Sequence, residues 1–470
     1  MNDTRLYYST AVLRDGRVFV AGGEYGTGKA RSEIYDPLTD SWTLTLPPVS
    51  VIDPATEYFS DSISKILPDG RVMIGPVRPS TSTVIYDPVA NSWVVGPSCN
   101  GSHNEVSWVK LPDDSILSVR KSSQSSERYL PARNDWITDA NLPVQLYDNY
   151  AEIGAGLLLA DGRVFMLGAN GNTALYTPSG TTNNGSWVAG PDIPNGLAAP
   201  DAPAAMMVNG KILCAVGPPL YTTNATNVVF PSPTSFYEYS PTANSFASVS
   251  GPTGTTHNAI PYETEMLDLP DGSVLFSDRS AQLYTYRPTG LPLAAGKPTI
   301  TSVSPSAGGS FHLIGTKLNG ISEGAAYGDD SQMDSNWPLV RLSSGGSIYY
   351  CRTYNWSSTG VQTGNTPVST DFTTPLGLPA GTYSLVVVAN GIASDPVTFY
   401  GPTWVDFNYG GPFFFGNYSF PYHTMAQGTN GVLSGGAMIF RTSGSSAETM
   451  TISKPMTLIT RGSSSVTIGR

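Results

Sequence analysis

The chain has 470 residues, with 49 Gly, 38 Pro and only 13% charged side chains. That length exceeds what one hydrophobic core supports, so two or more domains rich in turns and short strands are expected. A formal net charge of -11, with no run of Lys or Arg, excludes nucleic acid as a partner, because phosphate binding needs basic stripes.

No stretch approaches the roughly 20 apolar residues of a membrane span. Met1 is followed by Asn2, Asp3 and Thr4, so no signal peptide is visible. The composition is nevertheless of an extracellular kind, and the chain reads as a mature product or a fragment. Cys99, Cys214 and Cys351 are odd in number and far apart. They predict three inert thiols, neither a disulfide framework nor a thiolate zinc site.

A repeated unit organises the first two-thirds. It reads apolar strand, Asp-Gly turn, second apolar strand, Tyr-Asp-Pro, then a strand opening on Trp. Residues 9–42 give STAVLRDGRVFVAGG and SEIYDPLTDSW, and residues 62–93 give SISKILPDGRVMIG and VIYDPVANSW. Weaker copies are VSWVKLPDDSILSV with RYLPARNDW, GAGLLLADGRVFMLG with ALYTP, AAMMVNGKILCAVG with FYEYSPTANSF, and TEMLDLPDGSVLFSD with LYTYRP. Asp15, Asp69, Asp113, Asp161, Asn209 and Asp271 mark the turns, at intervals scattered around the roughly 45–50 residues of kelch-type blades. Gly in these turns accepts the positive φ that a tight hairpin requires. Nearly continuous apolar character in the first two strands is expected where both sheet faces are covered. Trp42, Trp93, Trp136 and Trp187 are expected to fill the wedges between blades.

An all-β fold follows: a kelch-type β-propeller of six visible blades over residues 1–296. The sixth unit runs from Arg287 and Pro288 into TGLPLAAGKP and lacks an outer Trp strand. The few residues before the first inner strand are too short to supply one. Either the ring closes without that strand, or more sequence once lay upstream.

Residues 297–401 then change pattern. TITSVSPSAGGSFHLIGTKLNG, LVRLSSGGSIYYCRTY and GTYSLVVVANGIASDPVTFY read as the alternating strands of an immunoglobulin-like sandwich. In residues 402–470, AMIFR, TMTISKPMTLIT and VTIGR read as successive rungs at the start of a parallel β-helix. With about two rungs, a chain ending at Arg470 leaves an open edge, a template for self-association.

The propeller with its following domain resembles the galactose oxidase-like family of extracellular proteins, through DGRVFVAGG and the SVSP…GT pattern. The resemblance implies the fold more than the activity. In that family copper on the propeller axis is held by two His and two Tyr, one Tyr being cross-linked to a Cys. One His comes from an Arg-x-Tyr-His-Ser motif, where this chain has Arg5, Leu6, Tyr7, Tyr8 and Ser9. Tyr8 thus stands at the ligand position, no Cys is placed for the cross-link, and copper-radical oxidase activity is not expected.

A different constellation is carried by the repeat itself. The eighth residue before each turn residue is Tyr7, Asp61, Glu105, Ile153, Asp201 and Glu263, with Glu152 one place earlier in the fourth unit. Five of six inner strands therefore bring an acid to one end of the channel. His103 and His257 are near in sequence. Like charges so gathered need a cation, a cationic partner or raised carboxyl pKa values. Asp61, Glu105, Asp201 and Glu263 are the candidate metal ligands, and Tyr7, Tyr8, His103, Glu152 and His257 candidate binding residues. Oxygen ligands alone favour Ca²⁺ or Mg²⁺, and two added His would widen the choice to Zn²⁺ or Mn²⁺. The alternative is a hydrated funnel with each acid bonded to backbone.

A second acidic patch comprises Tyr327, Gly328, Asp329, Asp330 and Asp334, in a loop without EF-hand spacing. Sequons fall at Asn100, Asn184, Asn224, Asn355 and Asn417. Phe413, Phe414 and Phe415, with Tyr418 and Phe420, either dock the tail on the preceding domain or meet a sugar face. The chain reads as an extracellular, non-catalytic binding or structural protein for a glycan or another protein, with no certain cofactor. A carbohydrate-active enzyme using Glu105 and Glu263 as acid and base, or a self-assembling filament or surface-layer subunit, are the alternatives.

Overall fold

The computed structural model describes residues 1–25, 29–224, 227–326, 333–334 and 337–469. The patch residues Tyr327, Gly328, Asp329 and Asp330 lie outside these, as do Asp334's side chain, the Asn224 sequon and Arg470.

Six antiparallel sheets form the propeller. In the first, Ser9–Val12, Val18–Ala21, Ser32–Asp36 and Ser41–Thr45 lie side by side in chain order. Blades 2 to 5 repeat that order. Among the described residues blade 6 has three strands, Glu265–Asp268, Val274–Ser277 and Tyr284–Tyr286. The hairpin turns are those read from sequence. Gly16, Gly70, Gly162, Gly210 and Gly272 have φ between 79° and 90°, and in blade 3 Asp114 takes this position at φ 65°.

The blades are held by one aromatic pair, repeated. In register, Tyr35 faces Trp42, Tyr86 faces Trp93, Tyr129 faces Trp136, Tyr176 faces Trp187 and Tyr239 faces Phe246. Trp93 also packs on Phe19 of the preceding blade, at 6.0 Å between ring centroids. Such contacts join buried apolar clusters between blades 1 and 2, through 2, 3 and 4, between 4 and 5, and between 5 and 6. Among the described residues no buried apolar cluster joins blade 6 to blade 1, and Trp42 is only half-buried. The N-terminal residues do not extend blade 6. Asn2 and Asp3 donate backbone N–H bonds to Glu33 in blade 1, at 2.7 and 3.1 Å.

Residues 299–400 form one continuous curled antiparallel sheet around Phe311, Leu342, Phe372, Leu385 and Phe399. One excursion enters the propeller. Gly324–Ala326 pairs antiparallel with Ala204–Met206, the inner strand of blade 5, and Met333–Asp334 pairs with it in turn. Glu323 fixes this insertion. Its carboxylate lies 2.8 Å from buried Lys65 Nζ and accepts the backbone N–H of Lys110 at 2.9 Å. Lys110 Nζ, itself buried, donates to the carbonyls of Ile66 and Thr359, at 3.0 and 2.9 Å. Burial lowers its pKa, opposed by the Asp114 carboxylate.

Beyond residue 402, Thr403–Val405, Ala437–Phe440 and Thr457–Thr460 pair in parallel, as do Gly444–Ser446 and Val466–Ile468. The helix Met425–Gly431 is capped by Thr424, whose hydroxyl accepts from Gln427 N–H at 3.1 Å. Trp404, Ala437 and Ile439 belong to the same apolar core as the curled sheet.

Glu323→Ala strands the Lys65 charge in the interior. It is expected to cost about 3 kcal/mol in chemical denaturation. The double change Lys65→Met with Glu323→Leu is expected to recover most of that loss.

Candidate functional site

Each inner strand begins where the blades crowd together at the axis, and the chain reaches it through a sharp bend. Tyr7, Asp61, Glu105 and Asp201 are all left-handed, with φ of 52°, 51°, 52° and 47°. These are the positions that the repeat predicts. A non-glycine residue held there carries strain of about 1 kcal/mol or more, which the surrounding packing must sustain.

Asp61 is buried, and one of its oxygens, Oδ2, accepts from Arg78 Nη1 at 2.5 Å. Its other oxygen, Oδ1, is buried without a hydrogen bond among the described residues. Glu105 is ion-paired with Lys121, and Glu263 lies 3.8 Å from Arg279. In blades 2, 3 and 6 a base thus follows the acid by sixteen or seventeen residues, from the far end of the second strand. In blade 1 the same place is held by Glu24.

Glu24 is the principal member of the site that sequence reasoning missed. Gly22 delivers it: its φ is 72°, and a Cβ there would sit 2.4 Å from Phe59 Cβ. Glu24 N–H then bonds Leu6 O at 2.8 Å. Oxygens of Glu24, Asp61 and Glu105 all lie within 4.8 Å of one another. The Glu24 carboxyl is pushed up to about 7, by burial first and then by the neighbouring Asp61 charge. Burial likewise raises Glu152, against the hydrogen bond it shares with Asp201, and raises Asp148. Of the three converging carboxyls, Asp61 and Glu105 are paired with bases, Arg78 and Lys121.

Aromatic faces border the acids. Arg279 lies over the rings of Tyr7 and Tyr262, at 4.9 and 5.5 Å, and Tyr25 leans on Tyr7 at 6.4 Å. Tyr8 is part-buried within reach of the Glu265 charge. Burial and the charge of Glu265 raise its hydroxyl pKa.

The two histidines expected near the acids are not among them. His103 is wholly buried in blade 3; its Nδ1 accepts from Trp108 Nε1 at 3.0 Å and its ring packs on Trp136. Burial lowers its pKa. His257 lies in blade 6, with Nε2 2.8 Å from Asp278 and Nδ1 3.0 Å from Thr253. Neither lies in a regular strand, and each is engaged away from the acids, His103 by Trp108 and Trp136 and His257 by Thr253 and Asp278. His312 contacts Asp371 and His423 packs on Phe414. The residues at the axis therefore do not fit the two-His, two-Tyr copper set that the family resemblance implies. The mouth is an oxygen-donor site, suited to a hard cation or a hydroxyl-rich ligand.

Phe413, Phe415 and Phe420 are exposed and stack on one another, while Phe414 packs on His423 and Tyr418 on Trp404.

No family model matches the chain, and no curated protein matches it. Among solved structures it is similar to one described as a novel fungal alcohol oxidase with catalytic diversity among the AA5 family, in complex with copper. The identity is 14% and the TM-score 0.47, over 84% of each chain. It is also similar to a streptogramin B lyase, at 11% identity and a TM-score of 0.40, over 67% of this chain and 91% of the other.

The raised Glu24 carboxyl makes stability depend on pH. The folded chain holds a proton there that the unfolded chain releases near the ordinary carboxyl value, so this contribution is present below that value and is lost as pH rises to about 7. Glu24→Gln is expected to flatten the fall in melting temperature between pH 5 and pH 8.

Proposed function

We propose that the chain is an extracellular, non-catalytic binding protein whose propeller mouth holds a divalent cation, calcium, and through it the hydroxyl groups of a glycan. The observation that carries this reading is the convergence of Glu24, Asp61 and Glu105 from three blades within 4.8 Å. Carboxylate oxygens without sulfur or imidazole favour calcium over softer ions. A calcium ion keeps open coordination positions, and sugar hydroxyls can fill them while the exposed Tyr25 offers a flat face to the ring. Glu152 shares a hydrogen bond with Asp201, and Glu263 lies near Arg279.

In the same reading, residues 297–401 are an immunoglobulin-like spacer and residues 402–470 the opening of a parallel β-helix. The parallel pairing of the tail strands supports the latter.

Terbium luminescence with calcium competition tests the cation site. Saturable binding is expected at pH 8, weakened about 10-fold or more by Asp61→Asn or Glu24→Gln. Affinity is expected to fall as pH drops below about 7, where Glu24 takes up a proton. Equal terbium signals from all three proteins would refute the assignment. Glycan-array binding that depends on calcium would extend it to the sugar.

A further inference from the structure

A polar cleft lies at the opposite end of blade 1 from the acidic mouth. The mouth is approached where Ser9 pairs with Ala21, whereas Val18 and Tyr35 pair at the far end of the same sheet. The turn after Tyr35 carries Pro37 and Leu38, and these form one wall of a cleft of about 910 Å³. The curled sheet and the turns of the tail form the others. That volume is in the range of small-molecule sites.

The lining is basic. Arg352, Arg441 and Arg461 all face the cleft, and among the described residues that line it there is no Asp or Glu. Elsewhere in this acidic chain arginines sit beside carboxylates, as Arg5 by Glu33, Arg78 by Asp61, Arg128 by Asp139 and Arg163 by Asp161. Arg441 follows that rule, 2.8 Å from Asp406. Arg352 and Arg461 have no ion pair among the described residues. Arg352 Nη2 donates to the Asp15 carbonyl and Arg461 Nη1 to the Tyr418 hydroxyl, so most donors of each guanidinium stay unused.

These charges are held in place. Arg441 and Arg461 both lie against the Tyr418 ring, at 5.6 and 4.8 Å, and that ring packs edge-on against Trp404 at 5.1 Å. Arg352 lies over Tyr354 at 5.1 Å. The Gly308 carbonyl accepts from Gly462 N–H at 3.2 Å, which fixes the Arg461 turn on the curled sheet. Two guanidiniums gathered on one ring repel, and a bound anion offsets that repulsion. Thr373, Thr374, Ser463 and Ser464 add hydroxyl groups to the lining, and the exposed Tyr350 adds an aromatic face.

We infer that this cleft binds an acidic oligosaccharide. Its carboxylate or sulfate groups take the free donors of Arg352 and Arg461, and its hydroxyls meet the Ser and Thr side chains. The planar guanidinium fork matches either oxyanion. The site uses no cation and no residue of the mouth, so it stands or falls apart from the calcium reading.

The test is isothermal titration of the full chain in calcium-free buffer with three probes: a galacturonic acid tetramer, a sulfated galactose tetramer and the unmodified galactose tetramer. Saturable binding of an acidic tetramer is expected, at least about 10-fold tighter than the neutral one and weakened by added salt. The tighter of the two acidic probes identifies the anionic group. Arg461 is exposed, and Arg461→Gln is expected to weaken binding about 10-fold without disturbing the fold. Ser463→Glu, which puts a carboxylate in the cleft, is expected to abolish it. The inference is overturned by equal affinity for charged and neutral tetramers, or by no saturable binding of either acidic probe up to about 1 mM. It is overturned equally by binding that either variant leaves unchanged. Inorganic sulfate bound as tightly as the tetramers would make this an ion site and overturn the saccharide assignment.

Discussion

The propeller depends on the contact between a third-strand tyrosine and a fourth-strand aromatic. Flat sheets arranged around an axis diverge outward, and the widening gap has to be filled by the largest side chains available. Trp93 does this by touching Phe19, Phe59 and Tyr86 together. The same contact sets the register of the last strand, because a one-residue slip would turn the indole to the opposite face. Between blades 6 and 1 the pair of Tyr35 and Trp42 is present, but among the described residues no buried apolar cluster joins the two blades.

At the axis the problem is reversed. There the blades crowd, and only small or carefully paired side chains fit. The inner strands enter through left-handed bends that aim polar groups at one another, so charge must be balanced locally. Three blades do this with a base at the end of their second strand. Blade 1 places Glu24 there instead, and the mouth is left with an excess of acid that protons, a cation or a ligand must offset.

The propeller was legible in the sequence because its information is local. An Asp-Gly turn between apolar runs, then Tyr and Trp at fixed places, specifies a hairpin sheet without reference to distant residues. The acid positions were legible for the same reason, and so was the missing strand after Arg287. Glu24 was not, since it follows a glycine pair at the end of a strand and acquires meaning only beside Asp61 of the next blade. His103 and His257 misled because nearness in sequence does not decide what a side chain packs against. The insertion of Gly324–Ala326 left no local mark at all: a Gly-Ala-Ala run fits the axis because it is small, and its partner strand lies more than a hundred residues away.

That insertion has a consequence for how the molecule assembles. Lys110 in the third blade bonds to Glu323, 213 positions later, and Arg352 reaches back to the Asp15 carbonyl across 337. Contacts of such separation are closed late and slowly, because much of the chain's freedom is given up before they form. During synthesis the early blades emerge with Lys65 before its partner Glu323 is made, whereas Lys110 already has Asp114 beside it. The nascent propeller must therefore wait, hydrated at its centre, for a segment encoded far downstream to dry and lock it.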